Sequence, residues 1–197
     1  MIDDVDLSSS TLRLLASEAL KTWSNVAVLK LLSEEDHIVR TLAARELQMR
    51  GDKDIFNHVV GFVDSDIIFL REICAFTLGQ LGTPDMPFKS SSLPLLEVLV
   101  TDRDSEVRAA AAASLGHICF DDMPSSVEKL LYHAASDESS DVRCCVAASL
   151  GRASDKKEAQ FVLSKLLQDP NPQVQHYAEL GLEILNADID NGPSPVL

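Results

Sequence analysis

Histidine and cysteine are the side chains that most often carry catalysis or bind a metal, and their spacing here favours neither role. The five histidines show no HxxxH or HExxH pattern and stand at His37, His58, His117, His133 and His176. The four cysteines form no CxxC pair, and no serine stands in a GxSxG motif. We therefore expect reduced thiols, no catalytic, cofactor-binding or metal-binding residues, and a protein that is not an enzyme.

Carboxylates are the most abundant reactive groups: 31 Asp and Glu face 17 Lys and Arg, for a net charge of −14. They cluster at 34–36, at Asp102, Asp104 and Glu106, at 121–122, and at 137–138 with Asp141. At helix starts they would line one edge as a negative ridge or simply favour the helix dipole. Because nucleic-acid binders depend on neutralised phosphates, this charge argues against DNA or RNA and favours a basic partner or plain solubility.

The elements that would position these residues recur with a fixed period. A hydrophobic residue followed by Arg, once by Gln, occurs at Val39-Arg40, Leu70-Arg71, Val107-Arg108, Val142-Arg143 and Val174-Gln175, in steps of 31, 37, 35 and 32. A leucine stands seven residues after each Arg or Gln, and a small or medium apolar residue stands three after. Such a period is typical of a helical solenoid in which one unit is stacked about five times.

Each unit is predicted to contain two antiparallel helices, A and B. The A helices are expected at about 24–32, 53–63, 93–101, 125–135 and 158–168, and the B helices at about 37–50, 67–81, 105–119, 140–153 and 172–186. An amphipathic helix over 11–23 should cover the first unit. The sequence thus predicts an all-α, right-handed α-solenoid over 11–186, between a flexible N-terminus (1–10) and a disordered C-terminal tail (187–197).

Recurring polar and small residues predict contacts within and between units. Good N-cap types stand four residues before the Arg or Gln at Asp36, Asp104, Ser139 and Asn171, with Ser65 or Asp66 serving the second unit. The arginines 40, 71, 108 and 143 would form a ladder with capping residues such as Asp36 or Asp104, or contact a ligand; we favour the ladder. Glycines 79, 116 and 151 inside B helices indicate close approach of the next helix.

The B-helix motif resembles a known repeat. Asp-x-x-Val-Arg-x-x-Ala-Ala-x-x-Leu-Gly at 104–116 is similar to the HEAT repeat in its short, phycobilisome-lyase-like form, and 141–151 matches it with Ser139 in place of the capping Asp. The resemblance covers about 24–186 and implies about five HEAT-like helix pairs. Because the superfamily includes bilin lyases, scaffolds, enzyme regulators and some DNA glycosylases, it leaves the function open.

A narrower likeness concerns the first two units. Residues 31–51 and 71–81 resemble HEAT-repeat proteins encoded beside Rhs-type polymorphic toxins in enterobacteria. Those proteins are regarded as immunity proteins that bind and silence a cognate toxin. With about five units, this chain is expected to be shorter than those proteins and to lack any surface that their further repeats carry.

The candidate binding residues follow from helix periodicity. If positions −1, +3, +4 and +7 from the Arg or Gln are buried, positions +1, +5, +6 and +9 face the concave groove. Together with one acidic cluster, they give the partner-binding candidates Glu46, Met49, Glu72, Phe76, Gln80, Asp102, Asp104, Glu106, His117 and Arg152. Phe76 and Met49 fit a core position equally well. Met86 and Met123, in two Asp-Met-Pro loops, fit either a partner contact or a plug under their own loop.

The function we favour is that of an immunity protein that neutralises a Rhs-type toxin domain by steric and electrostatic binding. The alternatives are a general scaffold or adaptor for another protein and, more remotely, a bilin lyase-like protein. We expect a basic protein partner, no cofactor and no nucleic acid. We also expect a cytoplasmic monomer without membrane association, since no apolar run approaches about 20 residues and the start lacks signal-peptide features.

Overall fold

The computed structural model describes residues 9–190, which form eleven α-helices, a 3-10 turn and no strand. The helices are α1 (Ser9–Leu20), α2 (Asn25–Lys30), α3 (His37–Arg50), α4 (Lys53–Val60), α5 (Ile68–Leu78), α6 (Lys89–Leu99), α7 (Ser105–Ile118), α8 (Ser125–Ala134), α9 (Ser140–Leu150), α10 (Lys156–Leu166) and α11 (Pro172–Asp190), and the turn Leu31–Ser33 follows α2. The all-α prediction is confirmed. Within 9–190, no helix has the length and apolar character needed to cross a membrane.

The predicted flexible N-terminus and disordered tail fall largely outside the described residues. Where they overlap with them, both are helical: α1 begins at Ser9, and α11 continues through 187–190 to Asp190. Helix α11 therefore extends four residues beyond the end predicted for the last B helix, at 186.

Five helix pairs form the repeat units: α2/α3, α4/α5, α6/α7, α8/α9 and α10/α11. The second helix of each pair packs on the second helix of the next, so α3, α5, α7, α9 and α11 make a continuous layer. Position +3 is fully buried in the first four units, at Ala43, Cys74, Ala111 and Val146. The apolar side chains of all five units join one hydrophobic core, as the fixed phase of the repeat predicts.

Side-chain caps begin three of the B helices as predicted. The Oδ1 atoms of Asp36, Asp104 and Asn171 accept the N–H two residues on at 2.8–2.9 Å. Ser139 does not cap α9; its own N–H donates to Oδ1 of Asp137 instead. In the second unit Ser65 accepts from the N–H of Ile67.

Three arginines tie consecutive units together through bidentate ion pairs. The pairs are Arg71 with Asp102, Arg108 with Asp137 and Arg143 with Asp169, and their N–O distances are 2.7–2.9 Å. The predicted ladder is confirmed, but its acceptor is not the capping residue. Asp104 caps α7, while Asp102, two residues earlier, binds the arginine of the preceding unit.

A second set of contacts brings the B helices close together, as the glycines predicted. A Cβ at Gly79 would lie 2.4 Å from Cβ of Ser114, and one at Gly116 would lie 2.5 Å from Cβ of Ser149. Each serine hydroxyl also donates across the interface, Ser114 to the carbonyl of Ala75 at 2.9 Å and Ser149 to that of Ala112 at 3.0 Å. These serines occupy position +6, so the prediction that +6 faces the groove was wrong: it is buried against the preceding helix.

The junction between the first two units has neither an Arg–Asp ion pair nor a Gly–Ser contact among the described residues. Arg40 has no carboxylate partner among the described residues; its guanidinium lies 4.3 Å from the ring centre of Phe69. Gln48 replaces the glycine of later units, and its amide donates to the carbonyl of Phe76. The first unit is instead joined to the second by other contacts, which include a hydrogen bond from the N–H of Gly82 to the carbonyl of Gln48 and one from the Asn25 amide to Asp52.

The last helix presents polar groups at the interface positions. Gln175, Glu179 and Glu183 stand where the middle units have Arg, Ala and Gly, and both glutamates are exposed. Among residues 9–190 no unit is stacked on this face, and a polar face is typical of such an end of a solenoid.

Helix α1 covers the opposite end less completely than predicted. Leu12, Leu14 and Leu15 are 50–62 % exposed, and only Leu20 of its leucines is buried. The helix is held mainly at its end, where Arg50 donates to the carbonyls of Leu20 and Trp23.

Candidate protein-binding groove

The layer of second helices exposes one side, which we call the groove face. It consists mainly of positions −2, +1, +5 and +9 of each unit, because +3, +4 and +7 point into the core and +6 into the neighbouring helix. The side chains on this face set what a partner can bind.

Three predicted candidates meet near the N-terminal end of the groove face. Glu72 on α5 lies close enough to Asp104 and Glu106, at the start of α7, for their charges to raise its pKa. We call these three residues the acidic cluster. One carboxylate oxygen of Asp104 caps α7 by accepting the N–H of Glu106, and the side chain of Glu106 is exposed.

Glu72 is the unusual member of the cluster because it is half-buried without a hydrogen bond or ion pair among the described residues. Burial raises its pKa first, and the charge of Glu106 raises it further; the charges of Arg40 and His37 lower it, although neither side chain forms an ion pair with Glu72. A carboxylate in this position gains from any cation brought to the groove face.

Asp102 was predicted to join the same acidic surface, but the structure uses it elsewhere. Both of its oxygens accept from Arg71, and its side chain is 11 % exposed. Asp137 is used by Arg108 in the same way. The negative ridge therefore consists of the remaining exposed carboxylates at the starts of α3 and α9: Glu34, Glu35, Asp36, Glu138 and Asp141. Asp121 and Asp122, predicted to join it, lie at the opposite edge, in the turn between α7 and α8.

A pocket of about 480 Å³ opens on the groove face between α7, α9 and α11. Its lining includes His117 and Arg152 at the C-terminal ends of their helices and Asp141 and Gln173 near the N-terminal ends of theirs. Small residues line its middle, and Tyr177 lines it from α11. We call it the α7–α9–α11 pocket; it brings together the predicted candidates His117 and Arg152.

Two ionisable groups of this pocket, His117 and Cys145, have pKa values shifted in favour of their neutral forms. Burial, with a contribution from Arg152, lowers the pKa of His117. Burial raises the pKa of the Cys145 thiol to about 11, so it stays protonated at neutral pH. Arg152 itself lies 5.6 Å from the ring centre of Phe120, which is 59 % exposed.

The remaining candidates are scattered. Glu46 pairs with Arg50 at 2.8 Å, within the contact that holds α1. Met49 is exposed on the groove face, Gln80 is half-buried, and Phe76 is partly buried against the core. The structure thus separates Met49 from Phe76, which the sequence could not tell apart.

The methionine loops act mostly as plugs. Met123 is buried under its loop, and Met86 is half-buried against the core. Phe88 stacks on Phe56 with ring centres 4.8 Å apart. Phe120, which precedes the second Asp-Met-Pro loop, is the exposed aromatic residue there.

Two groove residues were missed as candidates. Asp141, predicted only as part of the negative ridge, occupies position −2, and Tyr177 occupies +2 in the last described unit. The useful signal was the change from small residues at +2 in the third and fourth units to tyrosine in the fifth. Among residues 9–190, no group of three or more His, Cys, Asp or Glu side chains is placed to hold a metal ion.

Comparison with known proteins supports the repeat assignment. Residues 92–183 match the family of HEAT repeats. No curated protein matches the chain in sequence.

Solved structures share the fold at low sequence identity. The YibA protein of Escherichia coli is 23 % identical with a TM-score of 0.78; the match covers 93 % of this chain and 64 % of YibA. The CpcE–CpcF complex of phycocyanin lyase from Nostoc sp. PCC7120 is 17 % identical over 80 % of this chain and 97 % of the other, with a TM-score of 0.64. A designed armadillo repeat protein in complex with the peptide (KR)4 is 17 % identical, covers 89 % and 85 %, and has a TM-score of 0.56. Residues 92–183 therefore carry HEAT repeats, and the chain has the α-solenoid fold of the HEAT and armadillo repeat proteins.

Proposed function

We propose that this chain is a protein-binding module that holds a basic segment of its partner against the acidic cluster. The observation that carries the proposal is Glu72, a half-buried carboxylate repelled by Glu106 that forms no ion pair among the described residues, although the charges of Arg40 and His37 reach it. A Lys or Arg side chain from a partner would supply the ion-pair partner. Because the site is partly desolvated, that pairing would be stronger than an exposed surface pair.

The charge of the whole chain supports the same partner chemistry. A net charge of −14 and the exposed carboxylates of the ridge would attract a basic protein and speed its association. The designed armadillo neighbour, which shares this fold, is in complex with a peptide of alternating Lys and Arg. That likeness shows only that a solenoid of this kind can present a face to a basic chain.

More specifically, we propose an immunity protein that neutralises a Rhs-type toxin domain. The support is the resemblance of residues 31–51 and 71–81 to proteins encoded beside such toxins. Inhibition by covering a basic active-site surface needs no catalytic group. An interface of standard size, about 1,600 Å² in total, fits on several stacked units.

Neither a bilin lyase nor an enzyme of another kind is proposed. The likeness to CpcE and CpcF, at 17 % identity, concerns the fold alone. The pocket on the groove face carries no feature that specifically calls for a chromophore.

The test is co-expression with a Rhs toxin domain encoded beside the gene. Cells producing the toxin should survive with the wild-type protein and die with Glu72→Gln/Glu106→Gln. The control is Asp54→Asn/Glu158→Gln, which removes two exposed carboxylates from the first helices of their units and should protect as well as the wild type. Cells that die equally with and without the wild-type protein would refute the immunity role.

A further inference from the structure

The α7–α9–α11 pocket has a polarity that the basic-partner proposal does not use. Cationic Arg152 and neutral His117 stand at one end, and anionic Asp141 stands at the other. A cation entering the pocket would meet Arg152, and a carboxylate would meet Asp141. The pocket as a whole therefore selects a neutral group.

The middle of the pocket is shaped for a large flat side chain. The space above the helices is empty because the residues below it are small: Ala113, Gly116 and Ala148. The pocket volume of about 480 Å³ exceeds what a small aliphatic side chain would fill. Tyr177, 39 % exposed, offers a ring for stacking or edge contact. Arg152 can lie over a second aromatic face as it does near Phe120.

The polar groups at the pocket ends favour an aromatic residue that also has a donor. The exposed carboxylate of Asp141 and the side-chain amide of Gln173 can accept a hydrogen bond from an indole N–H or a phenol O–H. Phenylalanine would fill the space but leave these groups to water. Tryptophan and tyrosine meet both requirements.

We infer that this pocket anchors a tryptophan or tyrosine of the same partner segment whose basic residues contact the acidic cluster. Glu72 on α5 and Cys145 on α9 are separated by two helix-to-helix spacings, roughly 16–20 Å. About five or six extended residues cover that distance. The recognised segment thus combines Lys or Arg with an aromatic anchor five or six residues away. This inference rests on the proposed function, since it assumes that the partner lies along the groove face.

The probes are fluorescein-labelled peptides titrated against the full chain by fluorescence anisotropy. The first peptide carries Lys-Arg-Lys-Arg, five Gly or Ser residues and a Trp. The second has Ala in place of Trp, and the third has Trp directly after the basic residues. The protein variants are Ala148→Phe, which fills the pocket, and Ala16→Phe, which adds the same ring at an exposed position of α1.

The first peptide should bind about tenfold more tightly than the second, as expected for a single buried aromatic anchor. The gain should be lost in Ala148→Phe, kept in Ala16→Phe, and absent from the third peptide. Circular dichroism and Tm establish that both variants fold.

Equal affinities for the Trp and Ala peptides, with both still bound, would overturn the aromatic anchor and leave the basic-partner proposal standing. A Trp gain that survives Ala148→Phe would overturn the assignment to this pocket. A gain at both spacings would overturn the single-segment geometry. If no basic peptide binds at all, the proposed function and this inference both fail.

Discussion

Glu72 and Glu106 lie on neighbouring helices of the groove face, close enough for the charge of one to raise the pKa of the other, and no cation among the described residues pairs with Glu72. In the same chain, a bidentate Arg–Asp pair joins the second unit to the third, the third to the fourth and the fourth to the fifth. The fold can therefore neutralise a half-buried carboxylate, yet leaves this one without a partner. Sites that bind a ligand often carry such a cost in stability.

Replacing Glu72 should raise the stability of the protein and lower its affinity for a basic peptide. Glu72→Gln removes the repulsion with Glu106 and the desolvation of the charge, so the free energy of unfolding should rise by about 0.5–1 kcal/mol. Affinity for a basic peptide should fall in the same variant. Urea denaturation and peptide titration measure the two effects; a variant that is less stable than the wild type would contradict this account of Glu72.

Removing a rung of the arginine ladder should destabilise the array. Asp137→Asn breaks the bidentate pair with Arg108, in which both side chains are 12 % exposed, and leaves only the exposed Glu138, 3.8 Å away, so it should cost about 3 kcal/mol. The matched control, Asp141→Asn, changes an exposed carboxylate in the same unit and should stay within about 0.5 kcal/mol. Equal losses of unfolding free energy in the two variants would show that the Arg108–Asp137 pair stabilises the protein no more than an exposed carboxylate does.

A missing rung can be added at the first junction. Ser65 stands six residues before Arg71, as Asp102 stands before Arg108, so Ser65→Asp places a carboxylate where Arg40 can reach it. The new aspartate can also accept the N–H of Ile67, as Ser65 does now. We expect a gain of about 1 kcal/mol in the free energy of unfolding, partly offset by the loss of the Arg40 contact with Phe69. The double variant Arg40→Gln/Ser65→Asp serves as the control and should show no gain.

The stability of the protein should depend on pH in two opposite ways. The hydrogen bond from Arg143 holds the pKa of Asp169 below its usual value against burial; in Asp102 and Asp137, burial pushes the pKa upward, but the arginines and backbone N–H groups outweigh it. A carboxyl group whose pKa is lowered on folding contributes stability above its unfolded pKa and loses it as pH falls through the folded one. Glu72, with a raised pKa, relieves its own repulsion on protonation.

Between pH 7 and about 5, protonation of Glu72 adds stability, whereas His117 removes some, because folding lowers its pKa and the unfolded chain then binds the proton more readily. Below about pH 4 the free energy of unfolding should drop steeply. Urea denaturation of the wild type and of Glu72→Gln across this range measures these effects. The variant should lose more stability than the wild type between pH 7 and 5 and the same amount below pH 4; identical profiles for the two proteins would contradict the assignment to Glu72.

Much of the fold was predictable because the repeat fixes its own phase. The pairs Val107-Arg108 and Val142-Arg143, read with the leucine seven residues later, placed α7 and α9 to within a few residues. The interior glycines predicted the close approach of neighbouring helices, and Gly79 against Ser114 bears this out. These features depend on the spacing of residues within one repeat, so they can be predicted from a single sequence.

Contacts between units were harder to predict because they depend on how far one helix is offset from the next. Asp102 and Asp104 are both acidic and two residues apart, and only the offset decides which one binds Arg71 and which caps α7. The same offset buries position +6 and admits Tyr177 to the pocket. The sequence predicted Glu72, Asp104 and Glu106 as candidates one by one. That Glu72 has no ion-pair partner among the described residues could be seen only in three dimensions.

The central claim, that the acidic cluster binds a basic chain, is tested most directly by titrating fluorescein-labelled (Lys-Arg)4 peptide into the wild-type protein and into Glu72→Gln/Glu106→Gln at 150 mM NaCl. The wild type should bind the peptide with an affinity that falls as salt rises, and the double variant should bind about tenfold more weakly. Asp54→Asn/Glu158→Gln, with the same change in net charge, should resemble the wild type. Equal binding by the wild type and Glu72→Gln/Glu106→Gln would show that net charge, not the acidic cluster, attracts the peptide, and would contradict the account.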